Sequence, residues 1–284
     1  MYMANGVLGI IACPMLDDNL VHSLRKDDEP RDITIIDNEH DGSFRRKLDR
    51  AGIAYRTISM DEVMSGGYEP VQDRFNLLVL MIDLGLHSKP DLLKERVEGL
   101  TMDMQPFVDA IGFYLGTCGN FGWDIPAWCS GKGLKPSAMF CDAEGNLCHD
   151  CVGVNIAGGP RYLELQKEYT GHLYIFPAMA SNYDDFMRAD QADMAAVEEN
   201  LTDEMREEMG IEPGIDGYMR WLLSLGNYQN ILRIDTGIED QDFDEEIQVI
   251  SRRTGLNIKV APPGWASLQP TDDLYSRCKS FLGN

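Results

Sequence analysis

The stretch "FNLLVLMID", residues 75–83, limits what this chain can become more than any other. From Phe75 to Ile82 only Asn76 is polar, so the apolar side chains fall on both faces of any strand they form. A strand of that kind must be covered on both sides, which is the condition of a central strand in a parallel sheet flanked by helices. The run is too short to cross a bilayer, and Asp83 ends it.

The neighbouring segments follow the same pattern. "GVLGIIAC" (6–13) reads as a buried strand stopped by Pro14, and "ITIID" (33–37) as a second. "SFRRKLDRAG" (43–52) has helical spacing, with Phe44 and Leu48 four apart and Gly52 as its stop signal. "AYRTIS" is a strand, "KPDLLKERVEGLTMDMQPFVD" (89–109) a helix with a kink expected at Pro106, and "AIGFYLGTC" a strand again. "KPSAMFCDAEGNL" reads as strand and turn, "GGPRYLELQKEY" as a helix with Pro160 in its first turn, and "GHLYIFPAM" as a strand. After an acidic helical stretch the rhythm resumes: strand "NILRID", helix "DEEIQVISRRTG", strand "LNIKVAP", helix "DDLYSRCKSFLG". Strand alternating with helix predicts an α/β fold: a doubly wound, Rossmann-like, mainly parallel sheet with an acidic helical insertion. The expected divisions are a core over 1–181, the insertion over 182–225 and a C-terminal βαβα over 226–284 that completes the α/β fold.

The 284 residues suffice for one large domain, and 44 % hydrophobic with 25 % charged residues is an ordinary globular balance. A net charge of −22 speaks against nucleic acid or an anionic membrane surface as the partner, since both would repel it. No basic start followed by an apolar block opens the chain, so a cytoplasmic protein is expected. Seven cysteines are an odd count in a large chain and do not suggest a secreted disulfide framework. In a reducing compartment they are packing residues, metal ligands or redox groups.

Ligands of open parallel sheets bind beyond the carboxyl ends of the strands. Four soft donors fall there or in a nearby loop: Cys13 after "GVLGIIAC", His87 after "NLLVLMIDLGL", Cys118 after "AIGFYLGTC", and Cys151 before the Pro160 helix. Three thiolates and an imidazole make a tetrahedral zinc site, or a catalytic one if a position stays open. An iron–sulfur cluster held by the three cysteines is the other cofactor such a set suits. Asn120 and Asp150 are placed to orient the ligands. Cys118 enters a turn through Gly119 and Asn120, whose backbone N–H groups are expected to stabilise its thiolate. Cys278, inside a helical pattern, is expected to be an inert filler.

A local set competes with this one: Cys129, Cys141, Cys148 and Cys151, including "CHDC" at 148–151. A C-x-x-C near a helix start reads as a dithiol couple or half a zinc knuckle, and core packing for Cys129 and Cys141 is the simpler alternative. "GG" at 158–159 before Pro160 and Arg161 could hold an anion at a helix N-terminus, or be an ordinary loop-to-helix junction. "DNEHDG" (37–42) lacks the Asp-x-His-x-x-Gly spacing of a cobalamin lower-ligand loop. G-x-G-x-x-G, P-loop, H-E-x-x-H and G-x-S-x-G motifs are absent.

Together "IIACPML" (10–16), "LGLHSKPDLL" (84–93), "YLGTCGNFGWDI" (114–125), "HDCVGVNIAGGPRYLEL" (149–165), "GHLYIFPAM" (171–179) and "ILRIDTGIED" (231–240) resemble the family catalogued as domain of unknown function 1638, known from methanogenic archaea and some bacteria. The resemblance spans most of the chain, and it aligns the family's cysteine after the first strand, Leu-His turn, Cys-Gly-Asn turn and Asp-Cys pair with Cys13, His87, Cys118 and Cys151. The chain departs at "GGPRY", where a Gly-Ser-Arg-type run is usual, and at "FPAMAS", where a Pro-Gly-Trp turn is more frequent. The resemblance implies an association with corrinoid-dependent methyl metabolism, with a corrinoid protein or methyltransferase as partner. Two functions are then open. One is zinc-assisted methyl transfer to a small thiol, with Trp123 walling the pocket and Arg161 and Tyr162 binding a small thiol with an anionic tail. The other is a non-catalytic accessory protein whose metal pins the strand ends, or an iron–sulfur or dithiol redox protein.

Overall fold

The computed structural model of the chain describes residues 4–187, 197, 199–238 and 241–283. Strands β1 (Gly6–Ala12), β2 (Arg31–Ile36), β3 (Arg56–Ile58), β4 (Phe75–Met81), β5 (Ala110–Tyr114) and β6 (Ser137–Met139) form one six-stranded sheet in the order β3-β2-β4-β1-β5-β6. Every pair is parallel. All seven residues of β4 are buried, as the run of apolar side chains requires. Strand β1 is bonded along both edges, with Ile10 opposite Val79 of β4 on one side and Gly112 of β5 on the other.

The helices, in chain order, are α1 (Asp17–Lys26), α2 (Gly42–Arg50), α3 (Met60–Met64), α4 (Pro90–Met104), α5 (Ile125–Gly131), α6 (Cys151–Asn155), α7 (Gly159–Glu168), α8 (Pro177–Ser181), α9 (Asp203–Met209), α10 (Ile215–Leu225), α11 (Phe243–Thr254) and α12 (Gln269–Ser280). Leu20 of α1, Phe44 and Leu48 of α2 and Leu274 of α12 share one buried cluster on one face of the sheet. Val63 of α3, Leu93 and Val97 of α4 and Ile125 of α5 share another, on the opposite face. The sheet is therefore doubly wound and Rossmann-like, as the alternation of segments predicts. At Pro106 the kink is a short 3-10 turn, Gln105–Phe107, that closes α4.

β7 (His172–Ile175), β8 (Asn230–Arg233) and β9 (Asn257–Val260) pair in parallel as a second, three-stranded sheet. The C-terminal strands thus continue the α/β pattern around β7 and leave the first sheet at six strands, whereas α12 returns to that sheet beside α1 and β5. Hydrophobic periodicity identifies a strand but carries no information about which sheet accepts it. Within the acidic insertion α9 buries nothing and α10 buries only Gly217 and Tyr218, while residues 188–196 and 198 lie outside the described ones.

Cys278 is fully buried in α12, and a Cβ on Gly112 would meet its sulfur at 3.0 Å, so this thiol fills the space that a glycine in β5 leaves. One charged group is enclosed where α1 meets α2. Lys47 Nζ lies 2.7 Å from Asp17 Oδ1 and 2.6 Å from Asp18 Oδ1, with Asp17 fully buried. Removing the cation leaves carboxylates in a poorly solvated place. Lys47→Met is expected to lower the unfolding free energy in urea by about 3–5 kcal/mol. Lys26→Met, which breaks an exposed pair with Asp272, should cost no more than about 1 kcal/mol.

Candidate functional site

The exits of the central strands alternate. Strand β1 leads to α1 on one face of the sheet, while its neighbours β4 and β5 lead to α4 and α5 on the other. Such divergence opens a crevice beyond the carboxyl edge. The segments that leave β1, β4, β5 and β6 there carry Cys13, His87, Cys118 and Cys151.

Cys13 follows β1 and is held by its N–H, which donates to Tyr114 O at 2.9 Å. It packs where the cluster under α4 meets the cluster of the second sheet, and Cys151 packs where that same cluster meets the one under α1. Cys118 lies in a turn stitched to the segment before α6. Its N–H donates to His149 O at 2.9 Å. Gly116 presses so tightly there that a Cβ would lie 2.6 Å from His149 O and 2.7 Å from Asp150 Cα. The backbone of Cys118 itself is left-handed, with φ of 41°, a conformation that L side chains other than Asn and Asp adopt at a cost. Strain of this sort persists only where the surroundings impose it, and here the stitched segments do.

Burial dominates at all three thiols, and Cys13 and Cys151 also feel a neighbouring cysteine. Burial, then the charge of Cys118, holds the Cys13 thiol far above the ordinary range, against a hydrogen bond from the Met15 backbone that favours its thiolate. Burial, then Asp150, Cys118 and Cys13, drives Cys151 well above it too. Burial and the Asp150 carboxylate push Cys118 up to about 11. The expected stabilisation of the Cys118 thiolate by turn N–H groups is therefore not what the turn does: enclosure and a neighbouring carboxylate outweigh it. A backbone N–H reaches a sulfur at Cys13 instead.

His87 sits in the 3-10 turn Leu84–Ser88 after β4, with Nδ1 2.7 Å from Leu84 O and its ring stacked on Phe186 at 4.3 Å between centroids. Donation from Nδ1–H to a carbonyl fixes the tautomer in which Nε2 carries a lone pair, the form a metal-ligating histidine takes. Among the described residues no group of three or more His, Cys, Asp or Glu side chains stands ready to hold a metal ion.

The remaining residues singled out from sequence divide. Asp150 caps α6, accepting from Gly153 N at 2.6 Å, and burial raises its pKa. Asn120 donates to Pro90 O at 2.7 Å and Thr117 O at 3.2 Å, so it secures the Cys118 turn rather than any ligand directly. Tyr162 stands near the thiols, its hydroxyl pKa raised first by burial and also by Asp150, Tyr174 and Cys151. Trp123 is core, 6 % exposed, with Nε1 lacking a partner. Arg161 is committed elsewhere: it donates to Trp265 O and Gly264 O and lies over the Trp265 ring at 5.4 Å. The start of α7 is likewise occupied, since Asp142 packs on Gly158 so closely that a Cβ there would meet its Cβ at 2.6 Å. A carboxylate already placed there disfavours a second anion.

Of the rival local set, Cys129 and Cys148 are buried in separate clusters. Burial, then Cys141, Asp142 and Asp150, pushes Cys148 up to about 12. All seven cysteines are free thiols. Sequence reasoning passed over His149, whose Nδ1 lies 3.1 Å from Thr117 Oγ1 and whose ring is 6.2 Å from that of Phe121. The only signal for it is its place inside "CHDC".

The fold defines a parallel α/β protein, with Cys13, Cys118 and Cys151 in segments at or beyond the carboxyl edge of its main sheet. The chain belongs to the family described as "Protein of unknown function (DUF1638)", which matches residues 81–271. No curated protein matches it. Among the described residues no helix is long and apolar enough to cross a membrane.

In metal-free protein at pH 8, Cys118 should react with iodoacetamide roughly a hundredfold more slowly than a solvated thiol of pKa near 8.5, and accelerate as pH climbs toward its own pKa of about 11. Asp150→Asn removes the charge that opposes the thiolate and should speed that reaction. Unchanged rates in the variant would show that Asp150 does not act on Cys118.

Proposed function

We propose that this is a cytoplasmic zinc protein in which Cys13, Cys118 and Cys151, with His87, hold the metal and serve methyl transfer to a small thiol in corrinoid-dependent one-carbon metabolism. The observation that supports the reading is that three enclosed thiols come from three separate loops, with Cys118 bearing on Cys13 and both bearing on Cys151. Three enclosed thiols penalise every thiolate among them, and a soft divalent cation is the group that reverses that penalty. Zinc held there with one position open or displaceable by the substrate would lower the pKa of a substrate thiol, releasing its proton so that the thiolate meets the methyl donor.

What the chain itself contributes is placement. Strands β1 and β5 lead to Cys13 and Cys118 at one edge of the sheet, the Asp150 cap marks Cys151 at the start of α6, and Leu84 O fixes the His87 tautomer. The link to methyl metabolism rests on the family resemblance, and the metal on the donor set. Protein purified without oxygen is expected to carry about one zinc per chain. Cys13→Ser and Cys118→Ser should lose it while keeping their far-UV circular dichroism. Iron with acid-labile sulfide in place of zinc would shift the reading to a cluster. Below about 0.2 equivalents of any transition metal, with the wild-type chain folded, the metal reading is overturned.

A further inference from the structure

A cavity of about 490 Å³, lined by none of the cysteines, lies between the helical residues 183–187, α8, α10 and β7. Its walls include Met179, Met187, Met219, Tyr183, Tyr218 and Phe186. We propose that it is a binding site for an uncharged, predominantly hydrocarbon small molecule, and that its occupancy is felt at His87.

The size falls within the range of small-molecule sites, which are concave and mostly apolar. Water gains few hydrogen bonds from such walls, so an apolar occupant that displaces it is favoured. Thioether side chains are polarisable and flexible and adapt to an aliphatic or aromatic body without demanding one shape. The surroundings select against charge. Arg253, over the Tyr183 ring at 5.4 Å, is already bound by Asp184 and Asp216 and so does not serve an incoming carboxylate. Those two carboxylates, in a chain of net charge −22, repel an anionic headgroup. Phe186 provides the link to the thiol site, because the ring that lines the cavity also stacks on His87 with an interplanar angle of 18°.

The test uses the full chain without metal, so that it does not depend on the zinc reading. Decanol is titrated by isothermal calorimetry and is expected to bind saturably with a negative heat-capacity change. Decanoate should bind at least about tenfold more weakly. Leu222→Trp, at the partly exposed rim, fills the entrance and should weaken decanol by about tenfold or more, whereas Val249→Trp on the outer face of α11 should not. Decanol should also move the His87 ring-proton resonances, and Phe186→Leu should abolish that shift while leaving binding measurable. No saturable binding, equal affinity for decanoate, or indifference to Leu222→Trp would each overturn the site. An unmoved His87 would overturn the link. Metal-free preparations that bind decanol leave this proposal standing even where the zinc reading fails.

Discussion

Strand β1 is hydrogen-bonded along both edges, and the site depends on that placement. Because β4 and β5 are laid down on either side of it, the residues following all three strands emerge at one edge of the sheet. Because α1 leaves on one face and α4 and α5 on the other, those residues emerge between the helices of the two faces. Interposing β4 between β2 and β1 brings the segment that leads to the Leu84–Ser88 turn beside the end of β1, where Ile82 N donates to Ala12 O at 2.8 Å.

Within the crevice, covalent and steric constraints act against electrostatics. The stitched segments around Gly116 and Asp150 force Cys118 into a left-handed backbone and set it near Cys151. Enclosure by three apolar clusters then makes charge on any of the thiols unfavourable, and each thiolate worsens matters for the next. A packing role is served by a small side chain on unstrained backbone, as Cys278 of α12 shows beside Gly112. Three thiols held together at strand ends, one of them on strained backbone, form a different kind of arrangement.

The second sheet closes over this edge. Its cluster reaches Met15, Leu84 and Ile156 of the first unit, and Asn182 donates to Pro14 O at 3.1 Å, just beyond Cys13. The same packing presents Phe186 to His87. Lys47, with Asp17 and Asp18, holds α2 against the start of α1 and so steadies the loop that carries Cys13. Acidic α9 buries none of its residues, consistent with a surface that stays solvated and repels anions.

The sequence by itself determined the parallel α/β class, the six strands of the main sheet and the segments from which the site is built. Those are local properties: apolar runs without alternation in β4, helical spacing in Phe44 and Leu48, prolines at the starts of α4 and α7. Strand-end reasoning also selected Cys13, His87 and Cys118, with Cys151 in a nearby loop, because an apolar run delivering a soft donor into a turn is visible without any contact being known. Only the tertiary structure decided that β7, β8 and β9 make their own sheet, since equal periodicities do not name their partners. It also decided the states of the side chains. Arg161 and Trp123 read as pocket residues by type, but backbone carbonyls at 264 and 265 take the guanidinium and the cluster under α4 takes the indole. The Cys118 turn reads as one that favours a thiolate, yet burial and Asp150 act on the sulfur from segments distant in the chain or across the seam, and these long-range fields leave no local signature.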